Sequence, residues 1–300
     1  MKTSSAPKPY LALVVFLFCA APALADNIYV AEYDGTIEEF NSSGGPGSVF
    51  GTTGFYASYG MAFDNSGNLY VSSYHENIIQ KFSSNGTKTT FTTTGLYGPF
   101  DIAFDRSGNL YAADSGGPVI MKYNANGAGT IFASMYLSYP FGLAFDSNGS
   151  LYVANAGGGW PYSILKYNSS GVGSMFVPQM DGGPQGMAFD SNGNLYVAVA
   201  TTHEIMKFNS SGVGTVFASG LIQPENLAFD SSGNLYVVDY GSNEILKYDP
   251  NGVGTVFASG LNGPVGIAIS VPEPSTWTML VLSIGAGFGF NRARKPARSE

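Results

Sequence analysis

Cysteine is almost missing from this chain, and its single copy, Cys19, lies close to the start of the sequence. Histidine is nearly as scarce, since only His75 and His203 occur. Two histidines cannot supply a three-histidine zinc site, and His203 is not followed by the second histidine of the H-E-x-x-H metalloprotease motif. These shortages exclude the common zinc hydrolases. We expect both histidines to be surface residues rather than catalytic bases.

The first 25 residues have the features of a secretory signal peptide. They contain two lysines, an apolar run over 11–18, and the A-x-A cleavage pattern in Ala23 and Ala25. Cleavage there would remove Cys19 and leave a mature chain without thiol chemistry or disulfides, even in an oxidising compartment. A lipid anchor on Cys19 is the weaker hypothesis, because the bulky Phe18 stands where lipobox motifs carry a small residue.

Charge is also low, and it is mostly of one sign. Charged residues make up 11% of the chain against 44% hydrophobic, and the segment 26–270 carries 7 Lys and Arg against 19 Asp and Glu. An acidic surface repels phosphate backbones, so nucleic-acid binding is excluded. The 40 glycines and the apolar content are typical of a folded, turn-rich β protein.

A repeat of about 40 residues dominates the sequence between 26 and 270. Its marker aspartate recurs at Asp64, Asp105, Asp146, Asp190 and Asp230, and Ser270 takes the same place in the last copy. Each copy contains four strand-like runs, which is the composition of one propeller blade. Every class of run has six members. The sequence therefore predicts an all-β, six-bladed propeller with four-stranded antiparallel blades.

The order of the runs predicts how the ring closes. The mature chain begins with a second run near Ile28 and ends with a first run at 266–270, so the C-terminal strand is expected to pair with the N-terminal strands. Such a closing blade has no free edge to recruit another chain, and we expect a monomer. The aspartate before each turn lacks the further acidic ligands of a calcium loop, which favours a turn-capping role.

The repeated pattern P-x-G-(I/L/M)-A-F-D-x-x-G-N-L-Y-V-A-D resembles the NHL-repeat family of propellers over 26–270. This resemblance implies blades around a central channel, with ligands bound at one mouth. It implies no single activity, because the family includes scaffolds, enzymes and recognition modules.

The last 30 residues, 271–300, resemble a PEP-CTERM sorting signal. The motif residues are Pro272, Glu273 and Pro274, and an apolar stretch over 277–290 and a basic end follow them. This resemblance implies processing by exosortase, a membrane protease of Gram-negative bacteria that usually make exopolysaccharide. Fourteen helical residues reach about 21 Å against roughly 30 Å of hydrocarbon, which suits a transient inner-membrane anchor. The alternative is an ordinary C-terminal anchor.

Polar residues near the channel mouth are candidates for a metal site. A looser likeness to calcium-dependent, gluconolactonase-like propellers implies oxygen ligands, which Asp101, Glu225 and Asn226 could supply to calcium. Glu225 takes the aspartate place of the P-D-G pattern, whereas Asp101 stands one residue later. The positions after the second runs could also face the channel, and they carry Glu32, Ser73, Asp114, Asn155, Val199 and Asp239.

A glycine-rich insertion gives a different kind of candidate site. It contains Trp160 and Tyr162, and an exposed pair of aromatic rings can stack on a sugar. Simple loop packing is the alternative. Gln185, a polar residue just before a first run, is the third candidate contact for a ligand. Most of the other aromatic residues recur at fixed places in the runs, which indicates packing between blades.

Two functions are consistent with these features. The first is an exported protein of the cell surface or extracellular matrix, a non-catalytic module that binds exopolysaccharide or another glycan, a peptide or an envelope protein. The second is a calcium-dependent lactonase or related hydrolase.

Overall fold

A computed structural model describes residues 26–157 and 161–270 of the protein, and all the regular structure in these two ranges is β-strand. The predicted signal peptide (1–25), Trp160 and the predicted sorting segment (271–300) lie outside the described residues. A search of the described ranges for a helix able to cross a membrane finds none.

The strands form six four-stranded antiparallel sheets, which confirms the predicted six-bladed propeller. The inner strands are β4 (Met61–Phe63), β8 (Pro99–Phe104), β12 (Pro140–Phe145), β16 (Pro184–Phe189), β20 (Pro224–Phe229) and β24 (Pro264–Ser270). The second strands are β1 (Asn27–Glu32), β5 (Leu69–Ser73), β9 (Leu110–Asp114), β13 (Leu151–Asn155), β17 (Leu195–Val199) and β21 (Leu235–Asp239).

The other two positions in each blade are also strands. The third strands are β2 (Thr36–Asn41), β6 (Ile78–Phe82), β10 (Val119–Tyr123), β14 (Tyr162–Tyr167), β18 (Glu204–Phe208) and β22 (Glu244–Tyr248). The outer strands are β3 (Ser48–Thr52), β7 (Lys88–Thr92), β11 (Gly129–Ala133), β15 (Gly173–Met180), β19 (Gly214–Ser219) and β23 (Gly254–Ser259).

The ring is closed by strands from the two ends of the described chain. β24 pairs with β1 in antiparallel register, with Asn27 opposite Ser270 and Val30 opposite Ile267. The inner strands contact one another in sequence around the ring, including β24 with β4. The closing blade therefore has the same four-strand order as the others.

The propeller has two ends, which we name for what they carry. At the turn end lie the hairpin turns that follow the inner strands and the third strands. At the mouth end lie the loops that follow the second strands and the links from each outer strand to the next blade. Each inner strand runs from the mouth end to the turn end. Function that depends on variable loops is therefore expected at the mouth end.

One structural unit repeats at the turn end of five blades. In the blade of β16–β19, the Asp190 carboxylate accepts hydrogen bonds from the backbone N–H groups of Asn192 (2.9 Å) and Asn194 (2.8 Å). Lys207 Nζ lies 3.8 Å from that carboxylate and 5.0 Å from the centre of the Tyr196 ring. The turn-capping interpretation of the repeated aspartate is confirmed.

The hydrophobic core lies between the blades rather than inside any one of them. The Tyr196 ring, for example, packs edge-on against Phe217 at 4.9 Å and against Phe229 at 5.0 Å. Equivalent clusters fill each of the six gaps between neighbouring blades. The prediction that the recurring aromatic residues pack between blades is confirmed for these positions.

Candidate functional site

Six equivalent residues surround the mouth of the central channel, one at the start of each inner strand. Bulges interrupt the pairing of five inner strands at this level, as between Pro184 and Met187. Such bulges re-aim side chains and are frequent beside functional sites. We name the six residues the mouth ring, and they are Tyr59, Phe100, Phe141, Gln185, Glu225 and Val265.

Three neighbouring blades give the mouth ring an aromatic half. The Tyr59 ring stacks on Phe100, with centroids 4.2 Å apart and planes 12° apart. Phe100 in turn meets Phe141 edge to face, at 4.2 Å and 79°. All three side chains are half-buried. Their exposed parts therefore form a continuous aromatic surface that can bind a ligand through ring faces.

Loops at the mouth end add further tyrosines beside Tyr59. Tyr33, Tyr74 and Tyr240 each follow the second strand of their blade directly. The ring centres of Tyr74 and Tyr59 are 6.4 Å apart, and those of Tyr33 and Tyr240 are also 6.4 Å apart. The equivalent positions in the other three blades hold Ser115, Ala156 and Ala200. These tyrosines come from three blades, including the blade that carries Glu225.

The other three members of the mouth ring are Gln185, Glu225 and the buried Val265, so two of them are polar. Glu225 is half-buried and accepts a 2.7 Å hydrogen bond from Gln223 Nε2. Burial raises the pKa of the Glu225 carboxyl, although the bond from Gln223 lowers it. Gln185 Oε1 is buried and has no hydrogen-bond partner among the described residues. A half-buried carboxylate favours a ligand that donates hydrogen bonds.

The channel narrows just inside the mouth ring. The six residues at this level are Gly60, Asp101, Gly142, Gly186, Asn226 and Gly266. Glycine is required at four of them because the neighbouring strands approach closely; a Cβ atom at Gly142, for example, would collide with the carbonyl oxygen of Gln185. Only Asp101 and Asn226, three blades apart in the ring, send side chains into this constriction.

Asp101 links its own strand to the neighbouring β12, whereas Asn226 reaches past β24 to Tyr59, just before β4. Asp101 accepts hydrogen bonds from the N–H groups of Ile102 and Leu143, both at 2.8 Å. Asn226 Oδ1 accepts from the N–H of Leu227 at 2.8 Å, and its Nδ2 donates to the carbonyl of Tyr59 at 3.5 Å. Both side chains therefore hold inner strands together at the constriction.

The three residues predicted to bind calcium are Asp101, Glu225 and Asn226, and they do not all line one cavity. Asp101 and Asn226 line the same cavity, of about 310 Å³, but Glu225 is not among its lining residues. Burial raises the pKa of the Asp101 carboxyl to about 7, although the N–H groups of Leu143 and Ile102 lower it. Both Asp101 oxygens already accept hydrogen bonds, and within 26–157 and 161–270 no cluster of three His, Cys, Asp or Glu residues could hold a metal ion. This donor set does not suit calcium, and the metal site stays a prediction.

The predicted sugar-stacking pair is only half described. Trp160 lies outside the described residues, whereas Tyr162 is the first residue of β14 and is half-buried. Tyr162 pairs in register with Met180 at the mouth end of its blade. Gln185 is the mouth-ring residue that the next blade contributes, from strand β16. The ligand-binding role of these three residues stays a prediction.

The polar residues after the second strands hold loops in place. Asp114 accepts a 2.7 Å hydrogen bond from the N–H of Tyr97, and Asp239 accepts a 2.6 Å bond from the N–H of Gln223. Both carboxylates are buried, and burial raises the pKa of Asp114 to about 6. Asn155 acts in the same way on the N–H of Ser138, at 2.9 Å. These residues position the mouth loops rather than face a ligand.

The histidines are exposed, as predicted. His203 Nδ1 lies 2.6 Å from the carbonyl oxygen of Ile222, and its backbone has a φ of 63°. Asn243 and Asn77 take the equivalent place in other blades, with φ of 58° and 55°. Asn77 holds its loop with the opposite polarity, since its side-chain oxygen accepts a 2.6 Å hydrogen bond from the N–H of Gly98, whereas His203 donates to a carbonyl. His203 is therefore a further loop anchor.

No protein-family model matches the sequence, and no curated protein matches it. Solved structures match its fold. A chain of the crystal structure of a nidogen/laminin complex is 22% identical, covers 83% of this chain and 100% of its own, and has a TM-score of 0.75.

Two enzyme structures are also similar. Virginiamycin B lyase from Staphylococcus aureus is 16% identical, covers 83% of this chain and 92% of its own, and has a TM-score of 0.62. A gluconolactonase from Xanthomonas campestris is 18% identical, covers 72% of this chain and 85% of its own, and has a TM-score of 0.59. These likenesses agree with the β-propeller fold of the chain.

Proposed function

We propose that the protein is an exported, non-catalytic binding module that engages a glycan, peptide or envelope protein through its mouth end. The observation that carries this proposal is the mouth ring itself. Its aromatic half offers ring faces, Glu225 offers a half-buried carboxylate, and the six blades carry five different residue types at this level. A ligand site needs such variation, whereas folding of a repeat protein does not.

Export and surface location belong to the same proposal. The signal peptide predicted at 1–25 and the sorting segment predicted at 271–300 would place the propeller at the cell surface or in the matrix of a Gram-negative bacterium, after exosortase processing. Ser270 pairs with Asn27 at the turn end. A tail that continues from Ser270 would therefore leave from the end opposite the mouth, and the mouth would face outward.

The propeller of the nidogen/laminin complex supports a binding role, since a propeller of this shape there belongs to a complex with another protein. The second candidate function is a calcium-dependent lactonase. It is favoured by the shared cavity of Asp101 and Asn226 and by the likeness to a gluconolactonase. The hydrogen bonds that occupy Asp101 weigh against it.

The binding proposal is tested with a variant of the aromatic half. The double variant Tyr59→Leu/Phe100→Leu should lose most of the binding of the full-length chain to isolated envelope and matrix material, measured by co-sedimentation. Tyr97→Leu is the matched control, because Tyr97 is a 71% exposed tyrosine of the mouth loops outside the mouth ring. Equal retention of both variants would contradict a binding role for the mouth.

A calcium titration by calorimetry separates the two functions. Single-site calcium binding that Glu225→Gln abolishes, together with turnover of a lactone, would replace the binding module by the enzyme. We expect neither result.

A further inference from the structure

Six of the seven lysines and arginines of the described residues lie at the turn end, and Lys88 is the exception. Five lysines lie 3.3–3.9 Å from the repeated turn-end aspartates, and they are Lys81, Lys122, Lys166, Lys207 and Lys247. Arg106 lies in a turn at the same end. Lys88 Nζ donates to the carbonyls of Thr52 and Thr53 on the outer strand side of the neighbouring blade.

Carboxylates, in contrast, are common at the mouth end. Strand direction places there Glu32, Asp34, Glu76, Asp101, Asp114, Asp181, Glu204, Glu225, Asp239 and Glu244. Since Lys88 is the one lysine or arginine of the described residues that reaches this end, at the edge of one outer strand, the carboxylates give the mouth end an excess of negative charge. Such a surface attracts cations and repels anionic polymers.

The turn end shows what an aromatic ring and a carboxylate do together in this protein. Each of its five lysines lies 4.8–5.1 Å from the centre of a tyrosine ring while it approaches an aspartate. Two parts of this aspartate–lysine–tyrosine unit have counterparts in the mouth ring. Tyr59 supplies the aromatic side chain and Glu225 the carboxylate, but no cation accompanies them among the described residues. The two residues are close, because Asn226, next to Glu225, donates a hydrogen bond to the carbonyl of Tyr59.

We propose that the mouth ring binds an arginine or lysine side chain of a partner polypeptide, with the cation over the aromatic half and against Glu225. This inference rests on the proposed binding function and names its ligand class. Cation–π attraction strengthens when the site is desolvated, as it is at a half-buried mouth.

The test compares two peptides that differ only in charge. The acetylated and amidated peptides Gly-Gly-Arg-Gly-Gly and Gly-Gly-citrulline-Gly-Gly are titrated into the full-length chain, and binding is followed by NMR chemical shifts. Citrulline keeps the shape of arginine but is neutral. We expect the arginine peptide to bind about 10-fold more tightly, and this preference to weaken as salt is raised.

A pair of single-charge variants locates the interaction. Glu225→Gln should weaken binding of the arginine peptide about 10-fold. Asp249→Asn is the matched control, because it removes one charge at the turn end, where Asn124, Asn168 and Asn209 already occupy the equivalent position. We expect no change in binding for this control.

Two results would overturn the inference. Equal binding of the two peptides would remove the role of charge, and unchanged arginine binding in Glu225→Gln would remove the role of the mouth carboxylate. Binding of a neutral oligosaccharide that the Tyr59→Leu/Phe100→Leu variant abolishes would leave the proposed binding function standing and make the ligand a glycan. If the Tyr59→Leu/Phe100→Leu variant and the Glu225→Gln variant both keep their binding to envelope material, the proposed function itself is contradicted.

Discussion

The turn end and the mouth end of this propeller are built from the same six blades, yet only one of them is repetitive. At the turn end, aspartate, lysine and tyrosine recur in nearly identical geometry in five blades. At the mouth end, equivalent positions hold tyrosine, phenylalanine, glutamine, glutamate and valine. The difference separates what folding requires of every blade from what a ligand requires of the whole ring.

The closing blade is the exception at the turn end. Ser270 stands in place of the aspartate and Glu39 in place of the lysine. The Tyr29 hydroxyl donates to Glu39 at 2.8 Å, so the tyrosine is kept while the ion pair is not. Burial, with a smaller contribution from Glu39, raises the pKa of Tyr29 to about 12. Packing of the ring is therefore the shared requirement of the turn end, and the ion pair is secondary.

The largest expected effect follows from this packing. Tyr111→Ala and Tyr196→Ala should each lower the free energy of unfolding by about 3–5 kcal/mol, because both rings are buried between two phenylalanine edges. Urea unfolding followed by circular dichroism measures the loss. Tyr97→Ala, at an exposed position, should change it by less than about 0.5 kcal/mol. A large difference between the two buried variants would show that the blades are not equivalent.

The second expected effect is a pH dependence of stability that comes from Asp101, at the constriction of the channel. Since burial raises the folded-state pKa of Asp101 to about 7, the folded protein holds a proton that the unfolded chain releases near pH 4. Stability should therefore fall as pH rises from about 4 to 7, by on the order of 3 kcal/mol. Urea midpoints measured across this range test the sign.

The variant Asp101→Asn identifies the group responsible. It should flatten the pH dependence, apart from a smaller fall below pH 6 from Asp114, whose pKa burial raises to about 6. Asparagine already occupies the equivalent position at Asn226. An unchanged slope in Asp101→Asn would assign the pH dependence to another carboxyl.

The smallest expected effect is a gain in stability, and it comes from a substitution at the mouth end. Glu225→Gln should raise stability at pH 7 by about 0.5–1 kcal/mol, because the substitution removes a buried charge that has no cationic partner among the described residues. Thermal unfolding measures this gain, which should vanish at pH 4 as the wild-type carboxyl is protonated. A loss of stability at pH 7 would mean that the carboxylate serves folding rather than binding.

The sequence was sufficient for the fold because each blade repeats the same information. The spacing of Asp64 and its equivalents predicts the blade length, and the order of runs at Ile28 and Ile267 predicts the closing pair. Turn capping by Asp190 follows from local chemistry alone, since the residues that it bonds lie within four positions. Local and repeated signals are those that a single sequence displays.

The candidate site was harder to predict, because it depends on directions that only the folded ring defines. Phe100 and Phe141 look like the aromatic residues of the strands, yet bulges turn them toward the mouth. The sequence signal that could have identified Phe100 and Phe141 as mouth residues was their position directly before Asp101 and Gly142, the residues of the constriction. Asp114 and Asp239, by contrast, look like channel ligands, but their carboxylates turn back to anchor loops.

The pairing of β24 with β1 also determines how the molecule carries force. If the protein is held by a tail beyond Ser270 while a partner pulls on the mouth, tension runs along the length of β24. The hydrogen bonds between β24 and β1 then share the load in shear, all at once, instead of being peeled open one by one. The joint that closes the ring is thus oriented to resist the direction in which a surface-held propeller would be pulled.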